Sequence, residues 1–125
     1  MPTPALNNNT QFAYILIEKL SEWPAWKVEK GTGEGYDIVI SDIHSGKRIY
    51  IEFKAGGGYG ELPIGSIIPL SRQLNKIEKR DKLFLVTFSR ISNFLAAKLE
   101  HLGVTFFSKP SVDDVVNNVQ VAFSA

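Results

Sequence analysis

An α/β domain built on a mixed sheet with helices on both faces is what this sequence predicts. Three observations carry that expectation. YDIVIS and KRIYIEFK are runs of β-branched and aromatic residues joined by the turn DIHSG, the pattern of an antiparallel hairpin. LFLVTF is a continuous apolar run, which suits a strand buried on both faces. Helical periodicities alternate with strands around these runs. The resulting order, α-β-β-β-α-β-α-β-α, places meander strands first and β-α-β crossovers after them.

Taken in order, Thr10 is positioned to cap a helix over 11–23. Phe12, Ile15, Leu16, Leu20 and Trp23 fall on one stripe of it, and Pro24 stops it. AWKVEK reads as a short strand and GTGEG as a loop. After the hairpin, AGGGYGELPIGSIIP reads as an irregular Gly- and Pro-rich loop, and Ser71 as the cap of a helix over 72–80. Ser89 or Ser92 starts the next helix, and Gly103 ends it. VTFFS is the following strand. The last helix, SVDDVVNNVQVAF, has Ser111 as cap and Asp114 three residues on, as in a capping box.

The 125 residues fit one domain, 1–125, with the first nine, MPTPALNNN, as a flexible start. Hydrophobic residues make up 44%, with eight Phe, four Tyr and two Trp, enough for a packed core. No apolar run is long enough to cross a bilayer and no charged-then-apolar leader opens the chain. A cytoplasmic, intracellular protein with no membrane partner is therefore expected. Without cysteine there is no disulfide and no thiolate metal site. His44 and His101 stand far apart, which argues against a His-based zinc site. Net charge is +1, so contact with nucleic acid requires a local cluster of Lys and Arg.

The hairpin carries the chemistry. Side chains alternate faces along a strand. Ile49, Ile51 and Phe53 share one face and Tyr50, Glu52 and Lys54 the other. Tyr36, Ile38 and Ile40 likewise share the apolar face, leaving Asp37 and Val39 opposite. Asp37, Glu52 and Lys54 are thus expected to emerge together on the side away from the core. A turn centred between His44 and Ser45 sets Asp37 directly across from Glu52, at about 4.5–5.5 Å between Cα atoms. Two carboxylates so placed repel each other. A divalent cation removes the repulsion, and Mg²⁺ takes one or two carboxylates together with water and substrate phosphate. Lys54 is placed to neutralise charge on a phosphate. A lone E-x-K is common on exposed strands; the opposed Asp and the flanking Gly-rich loops give it weight.

GYDIVI…IYIEFK resembles the metal-binding core of the PD-(D/E)xK, or restriction-endonuclease-like, nuclease superfamily. The small archaeal Holliday-junction resolvases and related phage or viral nucleases are the nearest members. The α-β-β-β-α-β order over 10–88 matches that core, leaving α-β-α as a C-terminal extension. The resemblance implies Asp37 and Glu52 as ligands of Mg²⁺ or Mn²⁺, the main-chain carbonyl of Phe53 as a third ligand, and Lys54 as the catalytic lysine. It also gives Gln73, in SRQLNKI, a part in positioning the phosphate or the attacking water. Two positions depart from the pattern. Tyr36 stands where the namesake motif has Pro, and the first-helix Glu of many members is unassigned among Glu18, Glu22 and Gln11.

The densest basic stretch holds Arg72, Lys76, Lys79, Arg80 and Lys82. At helical spacing Arg72, Lys76 and Lys79 share a face and form a candidate backbone clamp. Lys27, Lys30, Lys47 and Arg48 flank the hairpin and extend it. AGGGYG lacks the G-K-[ST] ending of a phosphate loop, so no nucleotide cofactor is expected. Trp23 and Trp26 read as core, His44 as solvated, and His101 as a helix-end residue. The expected activity is hydrolysis of DNA phosphodiester bonds, with branched DNA as substrate and a homodimer formed through the last helix or the Gly-rich loop. The rivals are an inactive nucleic-acid-binding module of the same fold and a protein-interaction domain.

Overall fold

A computed structural model describes residues 8–31, 36–54 and 60–125. Residues 1–7 of the expected flexible start, 32–35 of the GTGEG loop, and 55–59 of the Gly-rich loop, Tyr59 included, lie outside the described residues. The elements are α1 (Asn8–Leu20), β1 (Trp26–Lys30), β2 (Ile38–Asp42), β3 (Arg48–Lys54), a 3₁₀ turn (Ile64–Ser66), α2 (Ile67–Lys76), β4 (Lys82–Thr87), α3 (Asn93–Leu102), β5 (Thr105–Ser108) and α4 (Val112–Ser124). Their order is the expected one. The five strands form one sheet in the order β1-β2-β3-β4-β5. β1, β2 and β3 are antiparallel neighbours, and β4 and β5 continue the sheet in parallel.

Each face of the sheet has its own core. On one, Ile38, Ile40, Ile49, Ile51, Phe84 and Val86 meet Phe12, Leu16 and Leu20 of α1 and Val115 and Val119 of α4. On the other, Leu83 and Leu85 meet Leu70 of α2 and Leu95 and Leu99 of α3. Every residue from Leu83 to Thr87 is buried, as the apolar run requires of a strand covered twice. Each fully buried Ile or Leu stabilises the fold by about 1.5–3 kcal/mol. The caps of the last two helices form as read. Ser92 accepts a hydrogen bond from the Leu95 N–H, and Gly103 ends α3 in the left-handed region at φ 82°. Ser111 and Asp114 complete a capping box at the start of α4.

The β2–β3 turn fixes the register. Asp42 and Lys47 close it, and the Asp42 Oδ2 accepts from the Ser45 hydroxyl at 2.6 Å and the Ser45 N–H at 3.3 Å. Gly46 takes φ 76°, where a side chain is strained. Ile38 consequently pairs with Ile51 and Ser41 with Arg48. A slip of one residue would turn every buried Ile to the wrong face.

Several local expectations need correction. α1 starts at Asn8, so Thr10 lies within the helix and does not cap it. The helix ends at Leu20, where tighter bonds from Glu22 to Lys19 and from Trp23 to Leu20 take over, since the residue before Pro24 disfavours helix. Ile15 is exposed, and Ile17 packs on the core in its place. α2 covers Ile67–Lys76 rather than 72–80. Pro69 sits in its first turn, where the missing N–H costs nothing, so Ser71 is not a cap. Tyr36 lies with Tyr50 on the α2 side of the sheet, opposite Ile38 and Ile40. It precedes the ladder, and strand alternation does not bind it.

Removing the turn's anchors should therefore act on stability. Asp42→Ala should cost about 1–2 kcal/mol through the lost charge-assisted bonds, and Gly46→Val about 1–2 kcal/mol through its backbone conformation. The exposed control Ile43→Ser should stay within about 0.5 kcal/mol. Urea unfolding midpoints check all three.

Candidate active site

Asp37 is held at the end of the β2–β3 ladder. Its N–H donates to the carbonyl of Ile51 at 2.9 Å, the residue that already pairs with Ile38. Asp37 therefore sits at an irregularity just before β2, and not in the regular pair across from Glu52 that the turn-centred register predicts. Its carboxylate nonetheless lies near enough to Glu52 to add to the effect of burial in raising that acid's pKa. The Asp37 Oδ2 accepts from the Phe53 N–H at 2.7 Å, which pins the exposed carboxylate against β3. On the other side the Gly31 N–H donates to the Asp37 carbonyl at 2.8 Å. A Cβ on Gly31 would stand 1.4 Å from the Tyr36 carbonyl oxygen, so only glycine fits there.

Glu52 is buried at 9% exposure, contrary to the expectation that the acids emerge together into solvent. The reason is α2, which covers this face and brings Gln73 over β3. The Gln73 Nε2 donates to Glu52 Oε2 at 3.1 Å, and Lys54 Nζ lies 3.7 Å from Oε1. The Tyr36 hydroxyl donates to the Gln73 main-chain carbonyl at 3.0 Å and ties α2 to the start of the hairpin. Burial, and then the neighbouring Asp37 carboxylate, push the Glu52 carboxyl up to about 7; Lys54 and Gln73 offset part of that rise.

Asp37, Glu52 and Phe53 line a cleft of about 510 Å³ whose far wall is α1, through Thr10 and Tyr14, with Lys30 of β1 at its edge. Lys30 Nζ sits 4.8 Å from the centre of the Tyr14 ring, a cation–π contact. Tyr14 was not anticipated, although its spacing from Thr10 and Ile17 is that of one helical face.

The other predicted residues fall elsewhere. Gln11, Glu18 and Glu22 of the α1 region are exposed and do not line the cleft; Glu22 faces Lys19 at 3.9 Å. Arg72 lines a separate cleft beside Lys98 and His101 of α3. Lys76 is the last residue of α2 and Lys79 lies beyond it, so the three cations do not share one helix. The cause is that α2 ends at Lys76, four residues before the expected end. Leu62, just after the Gly-rich loop, is buried in the core. Trp23 and Trp26 stack at 4.6 Å, and His44 and His101 are exposed.

The donor set is two carboxylates and no sulfur or imidazole. Among the described residues no group of three or more His, Cys, Asp or Glu forms. Two carboxylates are a donor set that a hard cation with several waters, such as Mg²⁺, accepts. A buried acid crowded by a second acid is a pairing that such a cation relieves.

Mixed sheet, flanking helices and connectivity together give the restriction-endonuclease-like fold. Two structures of EndoMS, the apo form and a complex with dsDNA, align with TM-scores of 0.55 and 0.52, at 18% and 20% identity over 86% and 89% of this chain. A repair endonuclease from Pyrococcus abyssi aligns with a TM-score of 0.51, at 17% identity over 87%. This chain spans about half the length of each, at 49%, 48% and 50%. At these identities the likeness is one of fold. No protein-family model and no curated protein sequence matches the chain.

The raised Glu52 carboxyl gives a pH dependence of known sign. The folded state holds this proton above the pH at which the unfolded chain releases it. The metal-free protein should therefore lose stability as pH rises from the ordinary glutamate range to about 7, and then level off. Glu52→Gln should flatten that window. Urea unfolding across it, for both proteins in chelator, checks the slope.

Proposed function

We propose that the protein is a Mg²⁺- or Mn²⁺-dependent nuclease that hydrolyses DNA phosphodiester bonds. The observation that carries this reading is the convergence on one cleft of Asp37 with a buried Glu52 that Lys54 and Gln73 both touch. The two carboxylates would hold the cation, with the Phe53 carbonyl completing the protein's share. When bound, the cation supplies Lewis-acid polarisation of a phosphate and activation of water.

The remaining work falls to side chains. Asp37 is kept in place by the Phe53 N–H, so its orientation is set before substrate arrives. Gln73 orients Glu52 by donating to Oε2. Lys54, whose side chain is 24% exposed, presents its ammonium where charge develops on the phosphate oxygens. A desolvated cation is worth more there than one in water. Lys30, at the edge of the cleft over Tyr14, meets a phosphate next to the scissile one. Arg72, Lys76 and Lys79 would reach the backbone farther out, as positioning contacts without sequence information.

The fold shared with EndoMS, one structure of which is a dsDNA complex, supports DNA as substrate. Branched DNA and a homodimer extend the reading, because one small domain contacts few phosphates. The apolar face of α4 is used internally through Val115 and Val119, which leaves outer residues such as Val121 for any dimer contact. An intracellular setting accords with such a substrate.

Cleavage of linear, flapped and four-way DNA in Mg²⁺ tests the proposal. Asp37→Ala and Glu52→Ala should abolish it. Lys54→Ala should slow it by about 10²–10³, and Gln73→Ala by about 10–100-fold. Cleavage that survives both acid substitutions refutes the assignment.

A further inference from the structure

The cleft at Asp37 and Glu52 does not end at Tyr36. Lys30, Gly31 and Tyr36 line it and also line a second groove, of about 340 Å³, that runs across the outer face of β1, β2 and β3. This face lies beyond the cover of α2 and α3. Val39 and Ser41 are only half-buried there, whereas Ile38 and Ile40 on the other face are fully buried.

Three features give the groove a chemistry. Its wall is aromatic: Tyr36 and Tyr50 sit with ring centroids 4.5 Å apart and planes at 43°. The Tyr36 hydroxyl is fixed to the Gln73 carbonyl at 3.0 Å, so the pair is braced before any ligand binds. Cations stand at both ends, Lys30 toward the metal cleft and Arg48, hydrogen-bonded with Tyr50, at the far end. Among the described residues the one acid in the lining, Glu29, is met by Lys27 at 3.8 Å. Braced aromatic surface between spaced cations is what binds successive bases and phosphates of a single strand. A helix or strand of a partner protein would want an apolar floor, and among the described lining residues Val39 alone is aliphatic.

We infer that this groove binds one unpaired polynucleotide strand and leads it over Tyr36 into the cleavage site. The inference rests on the nuclease reading for its direction and is separable from it by experiment. Stacking on the tyrosine rings requires unpaired bases, so the strand lies here unpaired while the paired portion stays outside.

The test is fluorescence anisotropy with labelled oligo-dT and oligo-rU, and with a blunt DNA duplex, in EDTA so that nothing is cut. Tyr50→Leu should weaken single-strand binding by about 5- to 150-fold, the span of one lost base–aromatic stack. Tyr50→Phe, which keeps the ring, should stay near wild type. Arg48→Gln, at an exposed position where folding is not at stake, should lower the salt slope by about 1. Duplex affinity should not move. A response in either the dT or the rU arm supports the groove and reads the sugar it prefers. Unchanged single-strand affinity in both Tyr50→Leu and Arg48→Gln overturns it, as does an equal loss for the duplex. Mn²⁺ binding on the same samples separates the two readings. Retained Mn²⁺ binding with an unresponsive oligonucleotide refutes the groove alone; absent Mn²⁺ binding with a responsive one refutes the metal site alone.

Discussion

The pairing of β2 with β3 is the constraint on which the rest depends. At one end Asp42, Ser45 and Gly46 hold the turn. At the other, Asp37 donates to Ile51 through its N–H and accepts from Phe53 through its carboxylate. Between them four Ile side chains point into one core. The apolar face follows from the register, and Asp37 is set beside Glu52 by its own bonds to Ile51 and Phe53 at the end of that ladder. The buried Ile residues supply the free energy that keeps the register, and the acids, which repel each other, are held close at its end.

The position of β3 within the sheet does the second part. It pairs with an antiparallel neighbour on one side and the parallel β4 on the other, with Glu52 beside Leu85. The chain leaving β3 returns through α2, and that return lays Gln73 on Glu52. An acid on a bare hairpin face would keep an ordinary proton affinity. Here burial and Asp37 hold it near neutrality, which leaves the site dependent on a counter-charge. Lys54 supplies part of one, and a divalent cation is the proposed remainder.

Much of this was legible in the sequence because the signals were local. Turn residues and period-two alternation fix a hairpin register, and LFLVTF could only be a doubly covered strand. What escaped was set by packing between elements. Pro69 looked like a loop residue but is tolerated in the first turn of α2; starting that helix at Ile67 rather than at 72 separates Arg72 from the acid cleft. Tyr36 follows its hydroxyl to Gln73 instead of strand alternation. The burial of Glu52 could not be foreseen without knowing that α2 lands on it. Tyr14 and Lys30 come from different elements, and their contact exists only once α1 lies beside β1.

The central claim is that the end of the hairpin ladder builds a divalent-cation site from Asp37 and Glu52. Mn²⁺-induced broadening of backbone amide resonances reads it most directly, because the effect falls steeply with distance from the ion. The account predicts broadening centred on Asp37, Glu52 and Phe53 above pH 7, and its loss in Glu52→Gln. Broadening centred instead on the cleft of Arg72, Lys98 and His101, or none at all, would contradict it.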